Sequence, residues 1–593
     1  MRTGPRKGEA GRRRAGSNRR VRPPSRSPAR RLIALLVILV VGVAGIFGRL
    51  VQLQVRDASA FQALARDQRS RSVILPASRG SILDRDGRQL ALSLPAKAVF
   101  VDPRLVDDIP SEAAIVASAI GLDPTKVIAA MGKRGRFVYI ARGVDLAVVD
   151  ALQRRGLPGV GFLPETKRYY PAGDLAAQVL GFVGVDGTGL AGLELQDQRQ
   201  LAGRPGHEVV EADPRGVLIP QASTVDVPPQ AGQDLVLTLD RDIQYRTQVA
   251  LAEAVKANRA KGGTVIVLDP ATGQILAMAN SPAFDPNAFG LADPEALRNP
   301  AVTDVYEPGS VNKIITASAA LEENAITLNQ RMMVPDHYQL YTKTFHDAHS
   351  HPTERMTLGD VIAYSSNIGA IETARLLGPD RLYAYLQRFG LTEPTGVGFP
   401  GESRGILPSP DHWSGTSMGT IPIGQGIAVT PLQMACVYAA IANGGVWVQP
   451  SLVLGTVAAS GRFQAAAPPK TRRVVSEETA RAVTQMLAYA VDVGTGTQAQ
   501  IPGYWVAGKT GTARKVLANG TGYSDKYMAS FIGFAPAGHP AVVIAAVLDE
   551  PATVFGGVAA APLFRQVALA ALAKLRAAPA PKLPIPPHAI TIG

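Results

Sequence analysis

The chain has 593 residues, which is too long for one ordinary domain and predicts several compact units. Hydrophobic residues make up 46% of it and charged residues 18%, a composition that excludes a wholly disordered chain. The formal net charge is +13, but residues 1–31 hold 12 basic side chains against one acidic one, so the nearly neutral remainder is not expected to bind nucleic acid.

The N-terminal region predicts a membrane anchor. Residues 1–31 are rich in Arg, Gly, Pro and Ser and are expected to be disordered. Residues 32–52 form the predicted transmembrane helix, which opens with the uncharged run LIALLVILVVGVAGIFG. The basic flank predicts a single-pass protein of the cell (inner) membrane, with a cytoplasmic N-terminus and an extracytoplasmic body. A cleaved signal peptide is the alternative, since GVA at 42–44 resembles a cleavage site, but the apolar residues that continue past it favour an anchor.

Residues 53–230 are predicted to form an α+β unit. Strand-like runs such as RSVIL and KAVFV occur beside the amphipathic stretch SEAAIVASAIG. Glycine-rich clusters at 78–88 and 184–196 predict packed turns that a side chain would block.

A second unit is predicted for residues 231–575. It begins with a strand and the helical run RDIQYRTQVALAEAVKAN, and DPATG at 269–273 predicts a hairpin between two strands. Helical patterns cover 310–395 and 429–443, and YMASFIGFAP and AVVIAAVLDE predict late strands, so we expect a sheet with helices on its faces. The single cysteine, Cys436, excludes an intrachain disulfide and is expected to be a buried core thiol. Residues 576–593 are expected to be a loose tail.

The stretch YEPGSVNKI places Ser310 three residues before Lys313. On a helix the two residues share a face, and the Pro-Gly pair before them sets the serine at the first turn. Free backbone N–H groups and the positive dipole end there favour an oxyanion. A packed lysine loses hydration, which lowers its pKa and lets the neutral amine take the serine proton. The spacing alone also fits a helix start with a solvated lysine.

Two further segments complete a set of motifs. AYSSNIG gives Ser365 and Asn367, a hydroxyl for proton relay and an amide that can hold a carbonyl group. VAGKTGTA supplies a cation, hydroxyls for a carboxylate, and a glycine that lets a substrate backbone lie close. The residues of this segment are Lys509, Thr510, Gly511 and Thr512. In this order the motifs form the Ser-x-x-Lys, Ser-x-Asn and Lys-Thr-Gly set of penicillin-binding proteins and serine β-lactamases.

Beyond these motifs, the chain resembles the class B penicillin-binding proteins over roughly residues 32–570. VLDPATGQILAMANSPAFDPN, IGQGIAVTPLQMACVYAAIANGG and ASFIGFAPA resemble the transpeptidase domain, and RGSILDRDG, RYYPAGDLAAQVLGFVG and GLAGLELQ resemble the pedestal. RFGLTEPTGVGFPGESRGILP is similar to the division-specific FtsI type. The resemblance implies an α/β (α+β) penicillin-binding transpeptidase fold with a mixed sheet and helices on its faces. It also implies an elongated α+β pedestal (dimerisation-like) domain and one N-terminal transmembrane helix.

The resemblance implies a peptidoglycan D,D-transpeptidase that cross-links stem peptides during septal cell-wall synthesis and is inhibited by covalent β-lactam binding. Ser310 would be the nucleophile, Lys313 the base and Ser365 the proton relay, with backbone N–H groups of Ser310 and Thr512 as the oxyanion hole. Substrate binding would fall to Asn367, Lys509, Thr510, Gly511 and Thr512. The reaction needs neither a metal nor a cofactor. The implied partners are stem peptides, β-lactams, a polymerising glycosyltransferase and other divisome proteins.

Several alternatives remain open. An elongation-type transpeptidase, a β-lactamase or D,D-carboxypeptidase, and a non-catalytic β-lactam-binding scaffold would all use the same motifs. A cluster of possible metal ligands lies in TKTFHDAHSHPTE. Its members are His346, Asp347, His349 and His351. No second ligand set is evident, so we favour a polar loop near the active-site cleft.

Overall fold

The structure is a computed structural model that describes residues 28–57, 70–212, 218–517, 520, 522–580 and 583–588. Residues 1–27 of the segment predicted to be disordered, 1–31, lie outside the described residues. Two compact units are present. The first contains the N-terminal helix and residues 208–226, and the second contains residues 74–207 and the described residues from 227 onward.

The N-terminal helix α1 (Pro28–Val51) continues as a π-helical turn, Gln52–Arg56. Together they form a helical segment of 29 residues that is long and apolar enough to cross a membrane, and none of its residues is buried. Among the described residues, Gly556–Leu575 meets the same criterion of length and composition, but half of it is buried in the core of the second unit. The predicted helix 32–52 is therefore part of a longer helix that begins at Pro28.

The pedestal part is built around one long strand that pairs on both sides. A small separate sheet has the order β1, β6, β7, with β1 (Ser70–Leu75), β6 (Gly206–Ala212) and β7 (Leu218–Val227). The other strands are β2 (Ile82–Leu83), β3 (Gln89–Val101), β4 (Val138–Asp145) and β5 (Val160–Tyr169). The helices are α2 (Ile109–Ile120), α3 (Pro124–Met131), α4 (Leu146–Arg155), α5 (Ala177–Leu180), α6 (Gly192–Gln196) and α7 (Gln198–Leu201). β3 is antiparallel to both β4 and β5.

A buried ionic cluster joins the two glycine-rich turns of the pedestal. Glu194 is fully buried, and its carboxylate accepts hydrogen bonds from Arg79 Nε at 2.6 Å and Arg168 Nε at 2.7 Å. Tyr170 Oη donates to the same carboxylate at 3.2 Å. Two arginines and one hydroxyl therefore satisfy one buried acid, which confirms that these turns are packing motifs.

The catalytic half contains a five-stranded sheet of order β10, β9, β21, β20, β19. Its strands are β9 (Gly262–Leu268), β10 (Ile275–Ser281), β19 (Ala507–Val516), β20 (Tyr523–Ala535) and β21 (Val542–Asp549). The predicted hairpin at 269–273 and both late strands are confirmed. Alternate residues enter two cores, since Val265 and Val267 pack into one cluster and Ile266 and Leu268 into the other. Burial on both faces explains why these strands read as continuous apolar runs.

Helices cover both faces of this sheet. Two of them, α8 (Arg241–Ala257) and α18 (Ala561–Leu575), contribute to one core. The others are α9 (Pro300–Thr303), α10 (Lys313–Glu322), α11 (Leu358–Ala363), α12 (Asn367–Leu377), α13 (Pro379–Arg388), α14 (Ser417–Thr420), α15 (Pro431–Ala442), α16 (Glu477–Asp492) and α17 (Gly556–Ala559). A second sheet runs from β4 and β3 through β2 to β8 (Asp234–Leu237), β16 (Val453–Val457) and β17 (Phe463–Ala465). This sheet is continuous across position 230, where we predicted a domain boundary.

Two expectations are wrong. Helical patterns were expected throughout 310–395, but residues 332–356 contain four short strands. They are β11 (Met332–Val334), β12 (His337–Leu340), β13 (Lys343–His346) and β14 (Glu354–Met356). The remaining described strands, β15 (Val446–Val448) and β18 (Thr471–Arg473), pair with each other elsewhere. Prolines and aromatic or Thr residues disfavour a helix in 332–356. Residues 583–588, expected in a loose tail, pack on the catalytic half, as described below.

Candidate active site

Ser310 lies in the first turn of a helix that also carries Lys313. The 3-10 turn Gly309–Asn312 leads directly into α10. The N–H of Lys313 donates to the carbonyl oxygen of Ser310, so the two residues are one turn apart. Ser310 is partly exposed, whereas only 1% of Lys313 is exposed. The predicted pair therefore consists of a partly exposed serine and a buried lysine one helical turn later.

The turn between α11 and α12 brings Ser365 and Asn367 to this amine. Lys313 Nζ donates to the carbonyl oxygen of Ser365 at 2.5 Å and to Asn367 Oδ1 at 2.8 Å, and it lies 3.3 Å from Ser365 Oγ. The φ of Ser365 is +62°, in the left-handed region that non-glycine residues rarely adopt. Such a conformation costs on the order of 1 kcal/mol. The bond from Lys313 to the Ser365 carbonyl oxygen helps to hold it.

Asp347 caps the N-terminus of α12, the helix that carries Asn367. Its Oδ1 accepts hydrogen bonds from the backbone N–H of Asn367 and from that of Ile368, the latter at 3.0 Å. Its Oδ2 accepts from Ser366 Oγ at 2.6 Å. Negative charge at a helix N-terminus is stabilising, and each N–H that it binds would otherwise lack a partner. Asp347 therefore fixes the backbone that presents Asn367.

The possible metal ligands of residues 346–351 make other contacts in the structure. Among the described residues, no three His, Cys, Asp or Glu side chains are placed to hold a metal ion together. His351 Nε2 lies 3.1 Å from Asp347 Oδ2, and Asn367 Nδ2 donates to the backbone carbonyl oxygen of His346 at 2.8 Å. These contacts join the loop to the segment that carries Asn367.

The Lys-Thr-Gly-Thr segment lies on β19, the edge strand of the five-stranded sheet. Lys509 is fully buried, and its Nζ lies 3.3 Å from Thr510 Oγ1 and 3.3 Å from Thr495 Oγ1. Thr510 Oγ1 donates to Thr495 Oγ1 at 2.9 Å, while Thr512 is partly exposed. An edge strand leaves backbone groups free to pair with an extended peptide. The residues predicted to bind a carboxylate therefore lie on the edge strand of the sheet.

Two glycines allow neighbouring segments to approach the Ser310 turn closely, one on β19 and one after the 3-10 turn Ile421–Ile423. A Cβ atom on Gly511 would lie 2.3 Å from Ser530 Oγ and 3.1 Å from the carbonyl oxygen of Pro308. Gly424 has a φ of +77°, and its Cβ would lie 2.1 Å from the carbonyl oxygen of Gly309. A larger residue at Gly511 would clash with the segment that carries Ser310, and one at Gly424 would clash with the backbone of Gly309, directly before the nucleophile.

Burial controls the charge of both lysines. It lowers the pKa of Lys313 to about 7, and the nearby carboxylate of Asp347 opposes this shift to a smaller extent. Burial also lowers the pKa of Lys509 well below its usual value, and the proximity of Lys313 adds to the effect. The oxygen atoms that contact Lys509 Nζ, on Thr495 and Thr510, are uncharged. Lys313 is thus available as a neutral amine near neutral pH.

Sequence reasoning missed two residues of this site. Thr495 bonds to Lys509 from the loop after α16, and its only local signal is a Gly-Thr-Gly-Thr turn. Glu307 Oε1 accepts from the backbone N–H of Gly426 at 2.7 Å and from Tyr523 Oη at 3.1 Å. Burial raises the pKa of Glu307. The two Glu307 contacts join segments more than 100 residues apart, which a local pattern cannot reveal, whereas Thr495 lies only 14 positions before Lys509.

Family models match both halves of the chain. The penicillin binding protein transpeptidase domain matches residues 263–569, and the penicillin-binding protein dimerisation domain matches residues 74–237. The chain is 38% identical to the penicillin-binding protein PbpB of Mycobacterium tuberculosis over 90% of this chain and 83% of that protein. It is 34% identical to the peptidoglycan D,D-transpeptidase FtsI of Escherichia coli over 90% of each.

Solved structures give the same result. The crystal structure of penicillin binding protein 3 from Mycobacterium tuberculosis complexed with aztreonam aligns with a TM-score of 0.70 and 35% identity. The alignment covers 87% of this chain and 100% of that one. Both family models occur in the same order as the pedestal and the catalytic half described above. The chain therefore belongs to the class B penicillin-binding proteins.

Proposed function

We propose that the chain is a peptidoglycan D,D-transpeptidase that works through an acyl-enzyme on Ser310. The observation that supports this most directly is the contact of the buried Lys313 amine with Ser365 and Asn367, one helical turn from Ser310. A buried lysine of lowered pKa beside a reachable hydroxyl is the arrangement that an amine base needs.

Acylation begins when the neutral Lys313 amine takes the proton of Ser310 Oγ. The oxygen attacks the carbonyl carbon of the penultimate D-alanine in a stem peptide that ends in D-Ala-D-Ala. Backbone N–H groups of Ser310 and Thr512 stabilise the oxyanion. Ser365 gives its proton to the leaving amine and receives the proton held by Lys313, and free D-alanine departs. Asn367 holds the acyl chain by its side-chain amide.

The second half of the reaction returns the enzyme to its starting state. An amine of a neighbouring stem peptide attacks the acyl carbon and loses a proton to the same relay. The new amide bond is the cross-link, and Ser310 leaves as a hydroxyl. Over the whole cycle one amide bond is broken, one is formed, and one D-alanine is released.

Lys509, Thr510 and Thr512 bind the terminal carboxylate of the donor peptide. Before binding, Lys509 is buried with uncharged partners, and burial lowers its pKa. An arriving carboxylate supplies the missing counter-charge and raises that pKa again. Donor binding is thus accompanied by proton uptake at Lys509, while Lys313 stays neutral as the base.

β-Lactams acylate the same serine, because their ring amide mimics D-Ala-D-Ala. The test is covalent labelling of the full-length protein in detergent with a fluorescent penicillin. We expect Ser310→Ala to abolish labelling and Ser460→Ala, at an exposed serine, to leave it unchanged. Undiminished labelling of the Ser310→Ala protein would contradict the assignment.

The protein acts in septal wall synthesis, and α1 anchors it in the cell membrane with its N-terminus in the cytoplasm. The similarity to FtsI supports the division role, and the exposed apolar helix with its basic flank supports the topology. Its partners are a polymerising glycosyltransferase and other division proteins, since newly made glycan strands carry the stem peptides that it cross-links.

A further inference from the structure

Residues 583–588, here called the strap, lie in a groove between α11 and α16. Leu583 packs on the main hydrophobic core, and Pro586 is buried. The hydroxyl of Thr357 donates to the carbonyl oxygen of Pro587 at 2.8 Å. The rings of His588 and Tyr489 are 5.6 Å apart. The strap therefore contacts the N-terminal cap of α11 and a residue in the last two turns of α16.

The sequence of the strap suits this groove. Three of the six residues in LPIPPH are prolines, and the buried one, Pro586, has no N–H that would need a partner in the groove. Proline also restricts the free chain, so docking an extended proline-rich segment loses little conformational entropy. The groove is lined by Thr357, Gly359, Gln485, Tyr489 and Trp505.

Both helices that the strap contacts lead into the active site. α11 has only six residues and is about 9 Å long. Thr357 caps its N-terminus, and Ser365 follows two positions after its last residue, so a single short helix joins the strap contact to Ser365. Tyr489 packs in one small cluster with Ala363 and Tyr364, directly before Ser365. The loop that follows α16 contains Thr495, whose backbone N–H donates to the carbonyl oxygen of Ala363 at 3.1 Å.

We infer that this groove is a binding surface for a proline-rich segment, that the chain's own strap fills it, and that its occupancy positions Ser365 and Thr495 for acylation of Ser310. The inference rests on the proposed function for its readout. Ser365 is held in a strained backbone conformation, and Thr495 touches the buried Lys509. By packing against α11 and α16, the strap restrains the segments that carry Ser365 and Thr495 without contacting the substrate.

The first test removes the strap and then returns it. We expect the membrane-anchored protein truncated after residue 580 to be acylated by fluorescent penicillin about three- to tenfold more slowly than the parental protein. This corresponds to an increase of about 0.7 to 1.4 kcal/mol in the activation free energy. A synthetic peptide of residues 577–593 should restore the rate in a saturable way. The same peptide with its prolines replaced by alanine should restore it poorly.

The second test blocks the groove without shortening the chain. A Cβ atom on Gly359 would lie 3.0 Å from the carbonyl oxygen of Pro587. Gly359→Leu should therefore displace the strap, slow acylation as much as the deletion does, and add nothing further in the deleted chain. Gly290→Leu is the matched control, because a Cβ there meets no atom within 4 Å.

Two results would overturn the inference. One is a deleted chain that is acylated at the parental rate. The other is a slow deleted chain whose circular dichroism spectrum is native and which the peptide fails to rescue. Either result leaves the Ser310 assignment intact, because that assignment fails only if the parental chain is not labelled or Ser310→Ala still is.

Discussion

Acylation of Ser310 requires the neutral form of Lys313, so its rate should follow the titration of that amine. With a pKa of about 7, the amine is mostly charged at pH 6 and mostly neutral at pH 8. At saturating fluorescent penicillin, where Lys509 is already paired with the ligand carboxylate, we expect the rate of acylation to rise about tenfold between pH 6 and pH 8 and then to level off. Circular dichroism over the same range controls for unfolding. A rate that does not change with pH would contradict the role of Lys313 as base.

The cap that Asp347 makes on α12 gives a second prediction. Asp347→Asn removes the charge and places an N–H₂ group opposite backbone donors. We expect it to lower the free energy of unfolding by about 1–2 kcal/mol and the acylation rate by about tenfold. Urea unfolding and the penicillin assay measure the two effects. His349→Ala, an exposed neighbour in the same loop, should change neither, and an Asp347→Asn protein of parental rate would refute the positioning role.

At the scale of elements, the Glu194 cluster holds the pedestal turns together. Glu194→Gln keeps the shape but leaves the buried Arg79 and Arg168 guanidinium groups without their counter-charge. We expect a loss of about 3 kcal/mol in the free energy of unfolding, measured in urea. Glu477→Gln breaks an exposed pair with Arg481 and should cost less than about 1 kcal/mol. Equal losses in the two variants would show that burial does not matter here.

Elements with a strong local signal were predictable from sequence. The β9–β10 hairpin has a turn with distinct chemistry, and β20 and β21 are long apolar runs that burial on both faces requires. The Ser310, Ser365 and Lys509 motifs were also predictable, because each has a characteristic spacing.

The remainder depends on distant contacts. Asp347 was noticed only as part of a possible metal cluster, since nothing near it in sequence reveals the helix it caps. The bond of Thr357 to Pro587 spans 230 positions, so a proline-rich segment reads locally as a loose tail. The four short strands in 332–356 are each too short to show a clear period of two.

At the scale of the whole molecule, one fusion tests both topology and role. A fluorescent protein that matures only in the cytoplasm, fused before residue 1, should fluoresce and concentrate at midcell. The same fusion without residues 28–56 should be diffuse, because α1 is the proposed anchor. A fusion that does not fluoresce would indicate the opposite topology. Fluorescence along the side wall would favour the elongation role.

The lone cysteine makes the molecule suited to optical measurement. Cys436 is 2% exposed, and burial raises the pKa of its thiol, so maleimide dyes should leave the native protein unmodified. A cysteine introduced at an exposed site is then the single reactive thiol in the chain. A dye attached at position 588 could report departure of the strap in real time, during turnover and in intact membranes.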